Sequence, residues 1–250
     1  MADIPRAVRR ACAWDRAADM AGDRLHRILA ELSAGGADAW SSARLCRGCV
    51  KIIGVDGAGV MLMSGDIPRG SLCSTNEVSH LIEELQYTLG EGPCVDAYQQ
   101  DRVVTEPDLA EPVTRRWLAF APPALEAGVR AVFGFPLRVG TVRLGALNLY
   151  RDRHGPLTGD QHADALVVAD VAARWVLEAQ AGAAPDAVAA ELESGADFHF
   201  AVHNAAGIVS VQQGISITEA LIRLRAYTFS NDRPLADVAE DVIAHRLRLQ

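Results

Sequence analysis

Val132-Phe133-Gly134-Phe135-Pro136-Leu137-Arg138-Val139-Gly140-Thr141-Val142-Arg143-Leu144-Gly145-Ala146-Leu147-Asn148-Leu149-Tyr150 contains two apolar runs parted only by Gly140-Thr141. Strand-length runs joined by so few residues read as a β-hairpin, so an antiparallel sheet is expected. Asn148 is a polar group inside an otherwise apolar strand; if buried, its amide must find partners in a neighbouring loop or a ligand. Working outward, Gly59 to Met63 reads as a strand, Gly65-Asp66 as its turn and Gly70 to Ser74 as its partner. Helices are predicted from Asp38 to Ile53, ending at Gly54, from Glu77 to Tyr87, and from about Gly159 to Ala179.

The 250 residues allow two domains, and a hydrophobic content of 50% is ample for a core. A formal net charge of -8 argues against general binding to membranes or polyanions. No stretch approaches a transmembrane span, and the amino-terminal segment lacks the apolar core of a signal peptide, so a cytoplasmic location is expected. Five cysteines, an odd number without an export signal, favour reduced thiols. Cys46-x-x-Cys49 has a metal or redox spacing but falls in a predicted helix without the further ligands a zinc site needs, so no metal or cofactor site is predicted.

The middle of the chain adds an ordered set of landmarks. Glu84-Leu85-Gln86-Tyr87 leads to Gly90-Glu91-Gly92-Pro93-Cys94-Val95-Asp96-Ala97, a glycine-rich turn feeding a short helix. Then come Val103-Val104, Pro107-Asp108-Leu109, Arg116-Trp117, the hairpin and the long alanine- and valine-rich helix. This order resembles the GAF sensor domains found joined to ANTAR domains, from about Leu25 to Gln180. The resemblance implies an antiparallel sheet of five or six strands, with helices against one face and a small-molecule cavity on the other. Candidate ligand-binding residues are Tyr87, Glu91, Cys94, Trp117 and Asn148. Tyr87 and Trp117 serve equally as cavity wall or plain core. Cys94 follows a turn where a helix amino terminus could lower its thiol pKa, although such a residue is more often a small buried filler.

The last fifty residues carry a second pattern. His203-Asn204-Ala205-Ala206-Gly207-Ile208-Val209 precedes Ser216-Ile217-Thr218-Glu219-Ala220-Leu221-Ile222-Arg223-Leu224-Arg225-Ala226-Tyr227, and Asn231-Asp232-Arg233-Pro234 opens a final helix. Ser216 and Glu219 have capping-box spacing, which starts a helix near Ile217. Ile217, Ala220, Leu221, Leu224 and Thr228 then form an apolar line that leaves Glu219, Arg223 and Arg225 outside it. Pro234 suits a first helical turn, with Leu235, Val238, Ala239 and Val242 on one face. Glycine within a helix costs about 1 kcal/mol relative to alanine, so Ala205-Ala206-Gly207 asks for a reason, either close helix packing or close approach of a ligand.

This pattern, from about Phe198 to Arg248, resembles the ANTAR domain, the RNA-binding output module of transcription antiterminators. The resemblance implies RNA contacts at Ala205, Ala206, Gly207, Ser210, Arg223 and Arg225. Ala206 stands where the family often has lysine, and Ser210-Val211 where it commonly has methionine. From residue 201 onward, Arg223, Arg225, Arg233, Arg246 and Arg248 balance Glu219, Asp232, Asp237, Glu240 and Asp241, so recognition would rest on the shape and stacking of RNA loops rather than net charge.

The expected class is therefore α+β: a GAF-like antiparallel sheet with flanking helices, then a small all-α three-helix ANTAR domain. The expected divisions are a helical extension (1–20), the sensor (21–180), a connector (181–197) and the RNA-binding domain (198–250). Trp14, Ala18, Ala21, Leu25, Ile28 and Leu32 have coiled-coil spacing, consistent with a homodimer or with an amphipathic helix on its own domain. The expected function is signal-responsive antitermination on paired RNA hairpins, without catalysis. A Cys94 thiol sensor or sulfoxide reductase, and a DNA-binding regulator, stay open beside it.

Overall fold

A computed structural model describes residues 22–33, 41–64, 67–112, 116–182, 197–231 and 233–249. The expected extension (1–20), most of the connector (181–197), Gly65-Asp66, the Asp38 helix start and the Trp14, Ala18 and Ala21 end of the seam lie outside them.

The chain runs α1 (22–33), α2 (Ser42–Ile53), β1 (Gly57–Ser64), β2 (Ile67–Ser74), α3 (Glu77–Leu89), α4 (Pro93–Gln100) and β3 (Val104–Glu106). It continues through α5 (Ala121–Glu126), β4 (Ala131–Val139), β5 (Val142–Arg151), α6 (Gly159–Gly182), α7 (Asp197–Gln213), α8 (Ile217–Asn231) and α9 (Leu235–Ile243). The sheet order is β2-β1-β5-β4-β3, antiparallel at every pairing. The hairpin closes where Val139 pairs with Val142, and Gly140 at φ 60 supplies the left-handed backbone that so short a turn requires.

Both faces of the sheet are covered, where the resemblance placed helices on one face only. Alternation along the strands sends Phe133, Phe135, Leu137, Leu147 and Leu149 to one side, against α1, α2 and α6. Met61, Val132, Ala146 and Tyr150 face the other side, toward α3, α4 and α5. Two-sided burial explains why the hairpin strands read as nearly continuous apolar runs.

Helix boundaries follow local chemistry. Ser41 caps α2 by accepting from the Arg44 amide, and Gly54 ends it in a left-handed conformation. In α1, Ile28 and Leu32 are spent on the core beneath the sheet, Leu32 filling the space above Gly48, while Arg24 and Arg27 pair with Asp164 at 2.8 and 2.7 Å.

One expectation is overturned. Cys46 on α2 and Cys73 on β2 form a disulfide, with Cα atoms 6.2 Å apart, rather than remaining reduced thiols. The pairing joins residues 27 apart in sequence through the packing of α2 on β2, which counting cysteines cannot reveal. Cys49 and Cys94 are free and buried.

Helices α7, α8 and α9 form a small bundle in which α7 packs on both others. Its interior holds Val202, Ala205, Ala206, Val209, Ala220, Leu221, Leu224, Val238 and Val242, continuous with the core between α3 and the sheet. Ile217, predicted within the apolar line, is half exposed at the first turn, and Pro234 sits at the cap of α9 rather than inside its first turn. No single helix among the described residues is long and apolar enough to cross a membrane.

Candidate functional site

The site is built where three strands meet two helices. Asn148 on β5 pairs in register with Gly59 on β1 and Gly134 on β4, so a polar side chain is flanked on both sides by residues with none. A Cβ at Gly59 would lie 2.6 Å from Glu83 Oε1, and one at Gly134 would lie 2.2 Å from the Pro93 carbonyl oxygen. The two glycines thus admit α3 and the start of α4 to the sheet surface beside Asn148.

Helix α3 begins with a capping box between Asn76 and Ser79, which fixes its rotation. Its buried positions include Ser79, Glu83, Gln86 and Tyr87, so the face that meets the sheet is partly polar. Gln86 Oε1 accepts the Cys94 backbone N–H at 2.7 Å, satisfying an amide at the free amino end of α4. Gly92, at φ 134, is required twice over, because a Cβ there would also lie 2.5 Å from the Gln86 side chain.

Glu83, Gln86, Cys94 and Asn148 therefore form a sealed polar cluster. Among the described residues, neither Glu83 carboxyl oxygen, neither Asn148 amide atom, nor Gln86 Nε2 has a well-aligned hydrogen-bond partner. Burial pushes the Glu83 carboxyl up to about 8; the adjacent Asn148 amide partly offsets this, and Glu84 adds to it. Burial also drives the Cys94 thiol well above its ordinary value, reinforced by Glu83 and partly offset by Gln86. At neutral pH the cluster is an uncharged set of donors and acceptors around a protonated acid, and Cys94 is a thiol rather than a nucleophilic thiolate. The unpartnered atoms leave hydrogen-bonding capacity buried between the sheet and α3.

The candidate ligand residues do not all meet there. Cys94 and Asn148 belong to the cluster. Glu91 Oε1 instead accepts from Ala119 N and Phe120 N at 2.7 and 2.8 Å, holding the chain at the start of α5. Trp117 is buried with Nε1 donating to Asp96 at 3.0 Å and Arg116 stacked on its ring. Tyr87 packs edge-on against His203 of α7, with centroids 6.3 Å apart. Glu83 and Gln86 were missed by the sequence reading because Val78, Ile82, Leu85 and Leu89 suggest an apolar face that excludes both. The available signal was the Gly59–Asn148–Gly134 row, visible once the strands are in register.

The candidate RNA residues are also dispersed. Ala205 and Ala206 lie in the bundle interior at 0% exposure. Gly207 faces open space, with nothing within 4 Å of where a Cβ would stand. Ser210 donates to the Ile215 carbonyl at 2.6 Å, and Arg223 is exposed and donates to Gln213. Arg225 turns toward α3 and donates from Nη2 to the Tyr87 carbonyl at 2.7 Å, in that helix's last turn. That carbonyl sits at the negative end of a helix, where a cation is favoured.

The model of the GAF domain matches residues 42–174, the span that carries the sheet, α3, α4 and the buried cluster. The chain belongs to the GAF domain family. Signal sensing is the role that the GAF domain supports, and the match leaves α7–α9 outside it. Among similar solved structures is the GAF domain of an Acinetobacter phosphoenolpyruvate-protein phosphotransferase, at 14% identity and TM-score 0.46, covering 66% of this chain and 97% of that one. A type II free methionine-R-sulfoxide reductase from Thermoplasma acidophilum is 18% identical, with TM-score 0.41 and coverage of 54% and 89%. The GAF-B domain of DevS from Mycobacterium smegmatis is 16% identical, with TM-score 0.41 and coverage of 56% and 93%. No curated protein matches the chain. Among the described residues of the GAF domain and the bundle, no group of His, Cys, Asp and Glu is placed to hold a metal ion.

Proposed function

We propose that the chain is a non-catalytic, cytoplasmic regulator in which the GAF domain controls an ANTAR-type RNA-binding bundle formed by α7–α9, acting in transcription antitermination. The observation that carries this reading is the Arg225 bridge. Arg225 belongs to the helix nominated for RNA contact, yet it is bonded to the carbonyl of Tyr87 on the helix that presents Glu83 and Gln86 to the buried cluster. A small polar molecule or proton that shifts α3 changes how firmly Arg225 is held, and thereby the freedom of the bundle. In a homodimer each bundle takes one hairpin of a pair, and effective concentration supplies the affinity that a balanced charge does not. The neutral Cys94 thiol supports this reading over a thiol enzyme.

Gly207 provides a clean test because its surroundings are open. Gly207→Glu restores helix propensity while placing negative charge on the nominated RNA face. RNA selection with the full chain is expected to enrich hairpin pairs, and the variant is expected to bind them at least tenfold more weakly with no loss of thermal stability. Unchanged enrichment and affinity would sink the proposal.

A further inference from the structure

The five arginines and five acids of the last fifty residues balance in number but not in place. Arg225 is taken by the Tyr87 carbonyl, while Arg233 and Arg246 both bind Asp241 at 2.7 Å. Arg223 and Arg248 remain, and they lie on opposite walls of a single groove of about 540 Å³ between α8 and the segment that follows α9. Tyr227, Ser230 and Asn231 line the same groove, and no acidic residue among those described does.

The groove is built rather than incidental. Arg223, Tyr227, Ser230 and Asn231 follow at four-, three- and one-residue steps along α8, on the side that flanks its buried line, and Tyr227 is partly buried against the core. The far wall is held by Leu249, which is buried, and whose carbonyl accepts from Gln213 Nε2 at 2.7 Å. The other end of the same Gln213 amide accepts from Arg223. One side chain of α7 therefore ties both walls together and fixes the Arg223 guanidinium at the rim. Asn231 Nδ2 is engaged by the Tyr227 carbonyl at 2.8 Å, leaving its Oδ1 as an acceptor.

Two cations that form no ion pair among the described residues, beside an aromatic ring and an amide oxygen, match the chemistry of an unpaired nucleotide: phosphate for the arginines, a base face for the ring, and a base edge for Asn231. We propose that this groove seats one splayed nucleotide of a single-stranded RNA loop. The inference rests on the RNA-binding reading above and assigns its principal contact to Arg223, Tyr227 and Arg248, not to the alanine pair buried in the bundle.

The test uses the full chain and a pool of RNA hairpins with randomised loops, measured by filter binding at several salt concentrations. Arg223→Gln and Arg248→Gln are each expected to weaken binding and to flatten the dependence of log affinity on log salt by about 0.7, the share of one single-strand phosphate contact. Tyr227→Ala is expected to cost about tenfold without changing that slope, and Tyr227→Phe to restore binding, because stacking needs the ring and not the hydroxyl. RNA binding by the wild-type chain that all three weakening variants reproduce in affinity and slope overturns the groove while leaving the RNA reading intact. Enrichment of no RNA by the wild-type chain overturns both.

Discussion

Glu83 is a carboxylic acid that the fold keeps protonated. Its folded value of about 8 lies above the ordinary 4.5, so between those limits the native state holds a proton that the unfolded chain has released. The contribution of this group to stability is therefore fully present below about pH 4.5 and is lost as pH rises from there to about 8, at no more than about 1.4 kcal/mol per pH unit. Glu84, raised by burial to about 7, acts in the same direction. Glu83→Gln is expected to match the wild type near pH 4.5 and to exceed it in stability at pH 8, with urea unfolding at both pH values as the measurement. An unchanged slope in the variant would mean that another group carries it. Sequence alone marks Asn148 and Cys94 as members of this site, because a polar residue in an apolar strand and a cysteine after a glycine turn are local features. It does not mark Glu83 and Gln86, whose burial depends on two glycines in strands some 25 and 50 residues away in the chain.

Among the elements, the hairpin at Gly140-Thr141, the end of α2 at Gly54 and the line Ala220, Leu221, Leu224 and Thr228 on α8 were legible, since turn chemistry and periodicity are written in neighbouring residues. Two links between elements were not. The Cys46–Cys73 disulfide depends on how α2 lies on β2, and the Arg225 contact uses a main-chain carbonyl, which every residue possesses and no motif announces. Closing a loop of 27 residues should confer about 3.5 kcal/mol through the unfolded chain. Cys46→Ser with Cys73→Ser is expected to lose about that much, and dithiothreitol is expected to bring the wild type down to the same urea midpoint; a midpoint indifferent to reductant would contradict the pairing. Arg225→Gln removes a charged donor from the end of α3, and amide hydrogen exchange there and in α7–α9 is expected to quicken about tenfold, in line with a charge-assisted bond.

At the scale of the molecule, one sheet separates two apolar interiors. The interior containing Leu32, Leu45, Phe133 and Val168 belongs to α1, α2 and α6, whereas the one containing Met61, Ile82, Tyr87 and Leu221 runs without a break from the sensor into α7–α9. The buried cluster and the terminal bundle share the second interior, so a disturbance of α3 has a packed route to Arg225 that does not cross the strands. The β-sheet consequently acts as a thermodynamic bulkhead. Leu32→Ala and Leu221→Ala, one in each compartment, are expected to destabilise additively to within about 0.5 kcal/mol in a double-mutant cycle, whereas Tyr87→Phe combined with Leu221→Ala, both on the bundle's side, should depart from the sum.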